Sequence, residues 1–423
     1  MGWHPIIFTQ PLDKKPPSGP FTVIEVPFKG DIYRHIRRVL RCFVKNKPGV
    51  GLKAQLKQRI SDSRRVSLLD QVFVWYQELF GYPDTEKEWI KPLIAAVRRV
   101  ATERRIDAIL SEYPVSSHIA ASTIKTELGV PWIADFVDLW SDNHNYPFGR
   151  LRNMLDRRLE CRVLSKADLI VTVSEPWADK LRTLHGSKRV RCIEHGFDEK
   201  DLNDPPVQPA RKFLISYTGR VYSEMQNPEP FFAALGDLLR IGTIAPSDLE
   251  VRFFGDQEDW ILNQVRAYGL ESCTTFQGRL PESEIIHKQR ESQLLLLLAV
   301  EGRHRLGCYT SKLYSYLAAC RPILICGGVE NDVLDELVRN TSIGYYCKGH
   351  AAIADALRSA YAEFKRTGTV SYRAVPRAAE QYTYRNMTRR FVEELDALMI
   401  KNRLSPPPIS GRQPKSGGRH FHA

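Results

Sequence analysis

The 423 residues hold no apolar run long enough to cross a bilayer, no CxxC pair and no glycine-rich phosphate loop. Each absence removes a class of protein. The apolar stretch "LLLLLAV" at 294–300 is far shorter than the ~20 residues that span hydrocarbon, so no transmembrane anchor is expected. The opening "MGWHPIIFTQP" has neither a basic segment nor an apolar one of signal-peptide type, which points to a cytoplasmic chain. The 8 cysteines have no metal-ligand spacing and read as reduced thiols, with no structural zinc. Without GxGxxG or GxxxxGK[ST], dinucleotide and P-loop readings fail; without HExxH or GxSxG, so do zinc-peptidase and serine-hydrolase readings. No metal or cofactor is implied.

Negative charge is also short. Lys and Arg number 61 against 49 Asp and Glu, a net charge of +12, which favours an anionic partner. Much of the excess lies between Lys29 and Arg65, where twelve basic residues meet only Asp31 and Asp62. Over 31–45, Ile32, Ile36, Val39, Leu40 and Phe43 fall on one side of a helix, and Arg34, Arg37, Arg38, Arg41 and Lys45 on the other. Such a helix lies on an anionic membrane surface, or packs its apolar side on its own domain. No aromatic-basic stacking pattern accompanies the charge, so nucleic acid is not an expected partner.

What is present is alternation. Twelve β-rich runs, among them "HPIIFTQ" (4–10), "PWIADFVD" (131–138), "FLISYTG" (213–219) and "SQLLLLLAV" (292–300), are separated by helical segments. Many are unbroken Val/Ile/Leu/Phe runs, the mark of parallel strands buried on both faces. The polar, proline-rich "NDPPVQPAR" (203–211) reads as a linker. The fold class is therefore α/β, with two doubly wound parallel-sheet domains near 1–205 and 210–375. A last helix at about 376–400 follows, and 405–423 is a Pro/Gly/Ser-rich tail expected to be disordered.

In such sheets ligands sit beyond the carboxyl ends of strands, at helix N-termini. "LLLLLAV-EGRHRLGCYTS-KLYSYLAA" has that form, and Thr310 or Ser311 can cap the helix beside Lys312. The residues admit a diphosphate cradle, or a capped helix with a solvated lysine. "FLISYTGR" ends a second strand with Gly219-Arg220, suited to close backbone approach and bidentate phosphate binding. At "FQGRLPESE", backbone near Arg279 and Leu280 meets a base edge or forms an ordinary turn, with Pro281 opening the next helix. In "PWIADFVDLWSDNHNY", Asp135 and Asp138 can orient an acceptor hydroxyl and Trp140 can stack on a sugar; otherwise this is a polar loop over a core tryptophan.

Together these segments, with "DAILSEYPVSSHIAA", "HGFD", "FFGD" and "SKLYSYLAACRPIL", resemble the GT-B glycosyltransferases of the family-4 type, the group-1 transferases, over about residues 1–400. The resemblance implies two Rossmann-like domains with the active site between them, a final helix crossing back to the first domain, and glycosyl transfer with retention and no metal. The donor is a nucleoside-diphosphate sugar and the acceptor a glycan or lipid-linked carrier at the cytoplasmic membrane face. By carry-over Arg220 and Lys312 hold the diphosphate. Gly219, Arg279, Leu280, Glu301, Tyr309, Thr310, Ser311 and Ser315 line the donor side, and Asp135, Asp138 and Trp140 the acceptor side. Three departures stand out. Ser315 occupies the position of a ribose-gripping glutamate, and Val137 that of a common arginine. "GWHPIIFT" matches the family's second strand, so the first domain is expected to lack its first strand and to show an open sheet edge. These departures keep a non-catalytic GT-B binding protein as the alternative.

Overall fold

The computed structural model describes residues 2–12, 16, 18–28, 81–144, 146, 148–186, 188–202, 207–223, 225–302, 305–375 and 379–404. The basic segment 31–45 and the tail 405–423 lie outside them. Each apolar run named above contains a strand.

In the first unit, β1 (Ile6–Thr9) and β2 (Thr22–Glu25) pair in parallel. Then α1 (Ile90–Glu103), β3 (Ile109–Ser111), α2 (Val115–Leu128), β4 (Trp132–Phe136), α3 (Arg150–Leu164), β5 (Leu169–Thr172), α4 (Glu175–His185) and β6 (Val190–Cys192) alternate. Strands β3-β4-β5-β6 form a second parallel sheet in that order. The two sheets are separate ladders under one helix layer. Phe8, Ile24 and Ile109 all pack on the cluster of Trp89, Leu93, Val97 and Ile124 from α1 and α2. Leu110 of β3 is 50% exposed, whereas Ile133, its register partner on β4, is fully buried. Among the described strands, β3 ends this sheet.

The second unit runs β7 (Phe213–Thr218), α5 (Glu229–Arg240), β8 (Leu249–Phe254), α6 (Asp259–Ala267), β9 (Thr274–Phe276), α7 (Glu282–Glu291), β10 (Leu294–Leu298), α8 (Ser311–Ala319), β11 (Ile323–Cys326), α9 (Val333–Thr341), β12 (Gly344–Cys347) and α10 (Gly349–Thr367). Its six strands are parallel, in the order β12-β11-β10-β7-β8-β9. The leucine run of β10 shows why no alternation was visible. Leu294, Leu296 and Leu298 enter one core with Phe213, Phe231 and Leu357. Leu295 and Leu297 enter the opposite one with Tyr316, Leu317 and Ile325.

The last helix, α11 (Tyr384–Leu404), packs Met387, Phe391, Leu395 and Leu398 on Ile133, Leu169, Val171 and Ile193 of the first unit. Glu394 takes both Arg189 (2.6 Å) and Arg191 (3.1 Å), and Arg390 pairs with Glu194. Three boundaries differ from expectation. The crossing helix starts at Tyr384 rather than 376. The sequence reads as helical over 329–339, but helix α9 starts at Val333, because Gly327, Gly328 and Asn331 all take positive φ and make a turn there. Pro281 sits at the N-cap of α7 rather than inside it.

Candidate active site

The strand order of the second unit reverses between β7 and β10. This is a topological switch point, where the loops after two neighbouring strands diverge and leave a crevice. The loop after β7 begins with Gly219-Arg220, and the loop after β10 ends at Lys312. The fold thus brings the two sequence-predicted cations to one crevice. The Arg220 guanidinium lies 5.5 Å and the Lys312 ammonium 5.8 Å from the same Tyr222 ring centroid. Lys312 is also 5.5 Å from the Tyr217 ring.

Gly219 makes this possible in two ways. Its φ is +91°, and a Cβ there would lie 2.9 Å from Lys312 Cε. The lysine stem runs across bare backbone. Next to it, a Cβ on Gly255 would collide with the Gly219 carbonyl oxygen. Burial alone lowers the Lys312 pKa to about 8, and among the described residues no carboxylate lies within ion-pair distance of it. Arg220 has a carboxylate neighbour, Glu258, at 3.8 Å.

Helix α8 adds partial positive charge. Thr310 occupies its N-cap, as expected, but makes no side-chain cap bond, and its hydroxyl is buried without a hydrogen-bond partner. Ser311 opens the helix and is exposed. Free N–H groups at a helix start beside a buried ammonium suit an anion. Ser315 is engaged elsewhere: its hydroxyl donates to Lys312 O (3.0 Å) and accepts from Gln289 Nε2 (3.2 Å). Gln289 Nε2 also reaches Thr218 Oγ1 (3.1 Å), while its buried Oε1 has no partner.

Other donor-side residues sit at neighbouring strand tips. Arg279 makes a two-toothed bond to Asp256 (2.9 and 2.6 Å), joining the ends of β9 and β8, with partly buried Leu280 beside it. Glu301, at the tip of β10, donates its backbone N–H to Met225 O (3.0 Å), and its carboxylate lies against Gly327. Tyr309 packs on the core under α8, 6.3 Å from Tyr314 between ring centroids.

The first unit faces this crevice. Trp177 Nε1 donates to Leu306 O (3.0 Å), and Gly307 fits against Ser174, Pro176 and Trp177 with no room for a side chain. Cys308 Sγ lies 3.8 Å from His144 Nε2. Asp135 is partly buried, and desolvation, with Glu112 adding to it, pushes its carboxyl up to about 7. Asp138 is exposed; the surrounding protein raises its pKa, and its charge helps hold the Cys308 thiol neutral. The His195 ring, 5.5 Å from Tyr314 of α8, also feels Glu112. His195 thus lies between Glu112, which also acts on Asp135, and Tyr314 of α8. Trp140 requires a correction. It is only 6% exposed and packs with Trp132, Leu139 and Trp177 in the core, so its ring face is not offered to a sugar. Glu112, Gln289 and Tyr222 were not singled out from the sequence. Tyr222 alone carried a local signal, two residues after Gly219-Arg220.

The comparisons agree with this architecture. Residues 62–194 match the family model of a glycosyl transferase 4-like domain. No curated protein sequence matches the chain. Among solved structures, Anabaena HepE in complex with UDP is similar at 15% identity, covering 72% of this chain and 82% of that one, with a TM-score of 0.56. Sucrose-phosphate synthase of Thermosynechococcus elongatus is similar at 14% identity (75% and 79% covered, TM-score 0.52). The N-terminal domain of Candida albicans trehalose-6-phosphate phosphatase is similar at 9% identity (94% and 97% covered, TM-score 0.59). The fold is GT-B, two Rossmann-like domains, and the resemblance to family-4-type glycosyltransferases holds. Among the described residues, no group of three or more His, Cys, Asp or Glu could hold a metal.

Two outcomes follow from the buried charges. The Lys312 pKa is lowered, so its ammonium costs folding stability below pH about 8, and that cost fades as pH rises toward the unfolded value of 10.5. Lys312→Met should therefore raise the melting temperature at pH 7 by ~2–4 °C, with the gain shrinking toward pH ~10. Scanning calorimetry reads it, and a lowered melting temperature would contradict it. Asp135 has a raised pKa, so its ionised form destabilises the fold increasingly from pH 3.8 up to about 7. Asp135→Asn should be more stable than the parent by ~1–2 kcal/mol at pH 8, with the gap closing toward pH 4.5. A pH-independent difference in denaturant unfolding would contradict it.

Proposed function

We propose that this chain is a glycosyltransferase moving a sugar from a nucleoside-diphosphate donor to a glycan or lipid-linked acceptor, with retention at the anomeric carbon. The observation that carries the reading is Lys312, partly buried with no carboxylate at ion-pair distance among the described residues, and converging with Arg220 on the Tyr222 ring at the β7/β10 switch point. A diphosphate matches that charge and the uncapped start of α8. UDP in the HepE relative makes a uridine nucleotide the first candidate.

In the proposed reaction the bond from the anomeric carbon to the diphosphate oxygen breaks, a bond to the acceptor oxygen forms, and the acceptor's hydroxyl proton passes to the departing diphosphate. Arg220, Lys312 and the α8 N-terminus neutralise the charge that grows on the departing diphosphate. Asp135 titrates near neutrality, which suits a carboxylate that orients the acceptor hydroxyl, and Asp138 lies open to the acceptor on the same side. Glycan or lipid chemistry, linkage and membrane location belong to this proposal.

One observation favours a second reading, a GT-B protein that binds without catalysing. Ser315 spends its hydroxyl inside the protein, leaving no carboxylate for the ribose. Titration calorimetry of the full chain with UDP and the other nucleoside diphosphates separates the two. The enzyme reading predicts binding, weakened at least ~30-fold by Arg220→Ala. No binding of any nucleoside diphosphate by the parent chain would overturn it.

A further inference from the structure

Helix α3 is turned inside out. Its inward residues are Arg152, Asp156 and Glu160, exposed by only 3%, 1% and 1%, at i, i+4 and i+8. Its outward residues include Leu151, Met154 and Leu155, exposed by 69%, 42% and 41%. A surface helix ordinarily does the reverse.

The first three turns of the inward face are held by directional bonds, and the C-terminal end, at Val163 and Leu164, enters an apolar core. Arg152 pairs with Asp156 (3.0 Å), donates to Pro83 O (2.9 Å), and lies between the rings of Tyr82 (4.7 Å) and Phe148 (4.6 Å). Tyr146 donates to Asp156 (2.5 Å), and Glu160 accepts from Ser141 N–H (2.9 Å) and meets His185 Nε2 (3.2 Å). These contacts fix which way the helix faces. They also fasten it to the 138–146 loop that carries Asp138, since Asn153 Nδ2 donates to Ser141 O (2.7 Å) as well.

The outward face has a consistent sign. Arg150, Arg157, Arg158, Arg162 and, just past the helix, Lys166 are all exposed, while the acidic residues of α3, Asp156 and Glu160, are buried. At 100° per residue, Leu151, Met154 and Leu155 fall within the arc of those cations. Arg157 reaches Asp142 at 3.3 Å; that pair is exposed and sits at the edge of the face. Apolar side chains set among arginines complement the acyl boundary and the anionic headgroups of a bilayer surface. Among the described residues the helix presents no acidic side chain on this face, which fits an anionic lipid surface better than a second copy of the same basic face, which would repel it.

We infer that α3 is a membrane-surface docking helix that sets Leu151, Met154 and Leu155 into an anionic lipid interface with Arg150, Arg158 and Arg162 on the headgroups. This goes beyond the donor reading, because lipid binding needs no nucleotide. It brings the acceptor side of the cleft to the surface on which a lipid-linked acceptor resides.

The test is co-sedimentation of the full chain with vesicles of phosphatidylcholine alone or with ~30% phosphatidylglycerol. The parent should be retained on the anionic vesicles, less so in high salt, and not on the neutral ones. Leu151→Ser with Leu155→Ser, and separately Arg150→Glu with Arg158→Glu, should each weaken retention at least ~10-fold, with melting temperatures within ~2 °C of the parent. Four results would overturn the inference. One is no retention of the parent. A second is unchanged retention in both variants while neutralising Arg34, Arg37, Arg38 and Arg41 abolishes it. A third is a dimer in solution that the serine variant dissolves. The last is a melting temperature lowered by more than ~5 °C in the serine variant, which means that the chain itself covers the face.

Discussion

The second unit depends on one unfavourable placement: a lysine ammonium sunk into protein with no carboxylate beside it among the described residues. A packed sheet tolerates this only where another source of negative charge is due. Everything around Lys312 serves the placement. Gly219 gives its side chain a path, Tyr217 and Tyr222 offer ring faces, and Arg220 arrives from the adjacent strand tip. The strand order supplies the crevice itself, since only the β7/β10 junction lets two loops diverge. Under the proposed function, stability is given up here for a charged ligand.

The first unit answers with the opposite charge. Glu112 and Asp135 end neighbouring strands, and the cleft leaves the Asp135 carboxyl half-titrated near neutrality. The two units meet through specific contacts at Trp177, Gly307, His144 and Cys308, and through α11, which returns to cover β4, β5 and the end of β6. The chain is thus tied across the cleft at two places, between the unit that carries Lys312 and Arg220 and the one that carries Glu112 and Asp135.

Much of this could be read from the residues. Unbroken runs such as Leu294–Leu298 marked buried parallel strands, because both faces of each strand are covered and few polar residues are tolerated. Arg220 and Lys312 were visible because glycine before arginine and lysine at a helix start are local patterns. Other features depend on the assembled fold. Trp140 looked like a ligand platform until packing placed it in the core. Gln289 lies on a helix with no motif, and only tertiary proximity brings it to Ser315 and Thr218. The inverted face of α3 was hidden because its amphipathic pattern has the normal period; only burial shows which side is inside. Helix starts at Val333 and Tyr384 were misplaced by turn geometry at Gly327, Gly328 and Asn331 and by the short 3-10 turn Glu380–Tyr382 before the crossing helix.

The central claim is that the Lys312 ammonium takes a diphosphate. Reductive ¹³C-methylation of the lysines, with Lys312→Arg to assign the resonance, follows that group's titration directly. In the free protein it should titrate near pH 8, and saturating UDP should raise its pKa by at least ~1 unit, since the bound anion favours the charged form. A titration midpoint that UDP leaves unmoved would show that the nucleotide binds elsewhere or not at all, and would contradict the account.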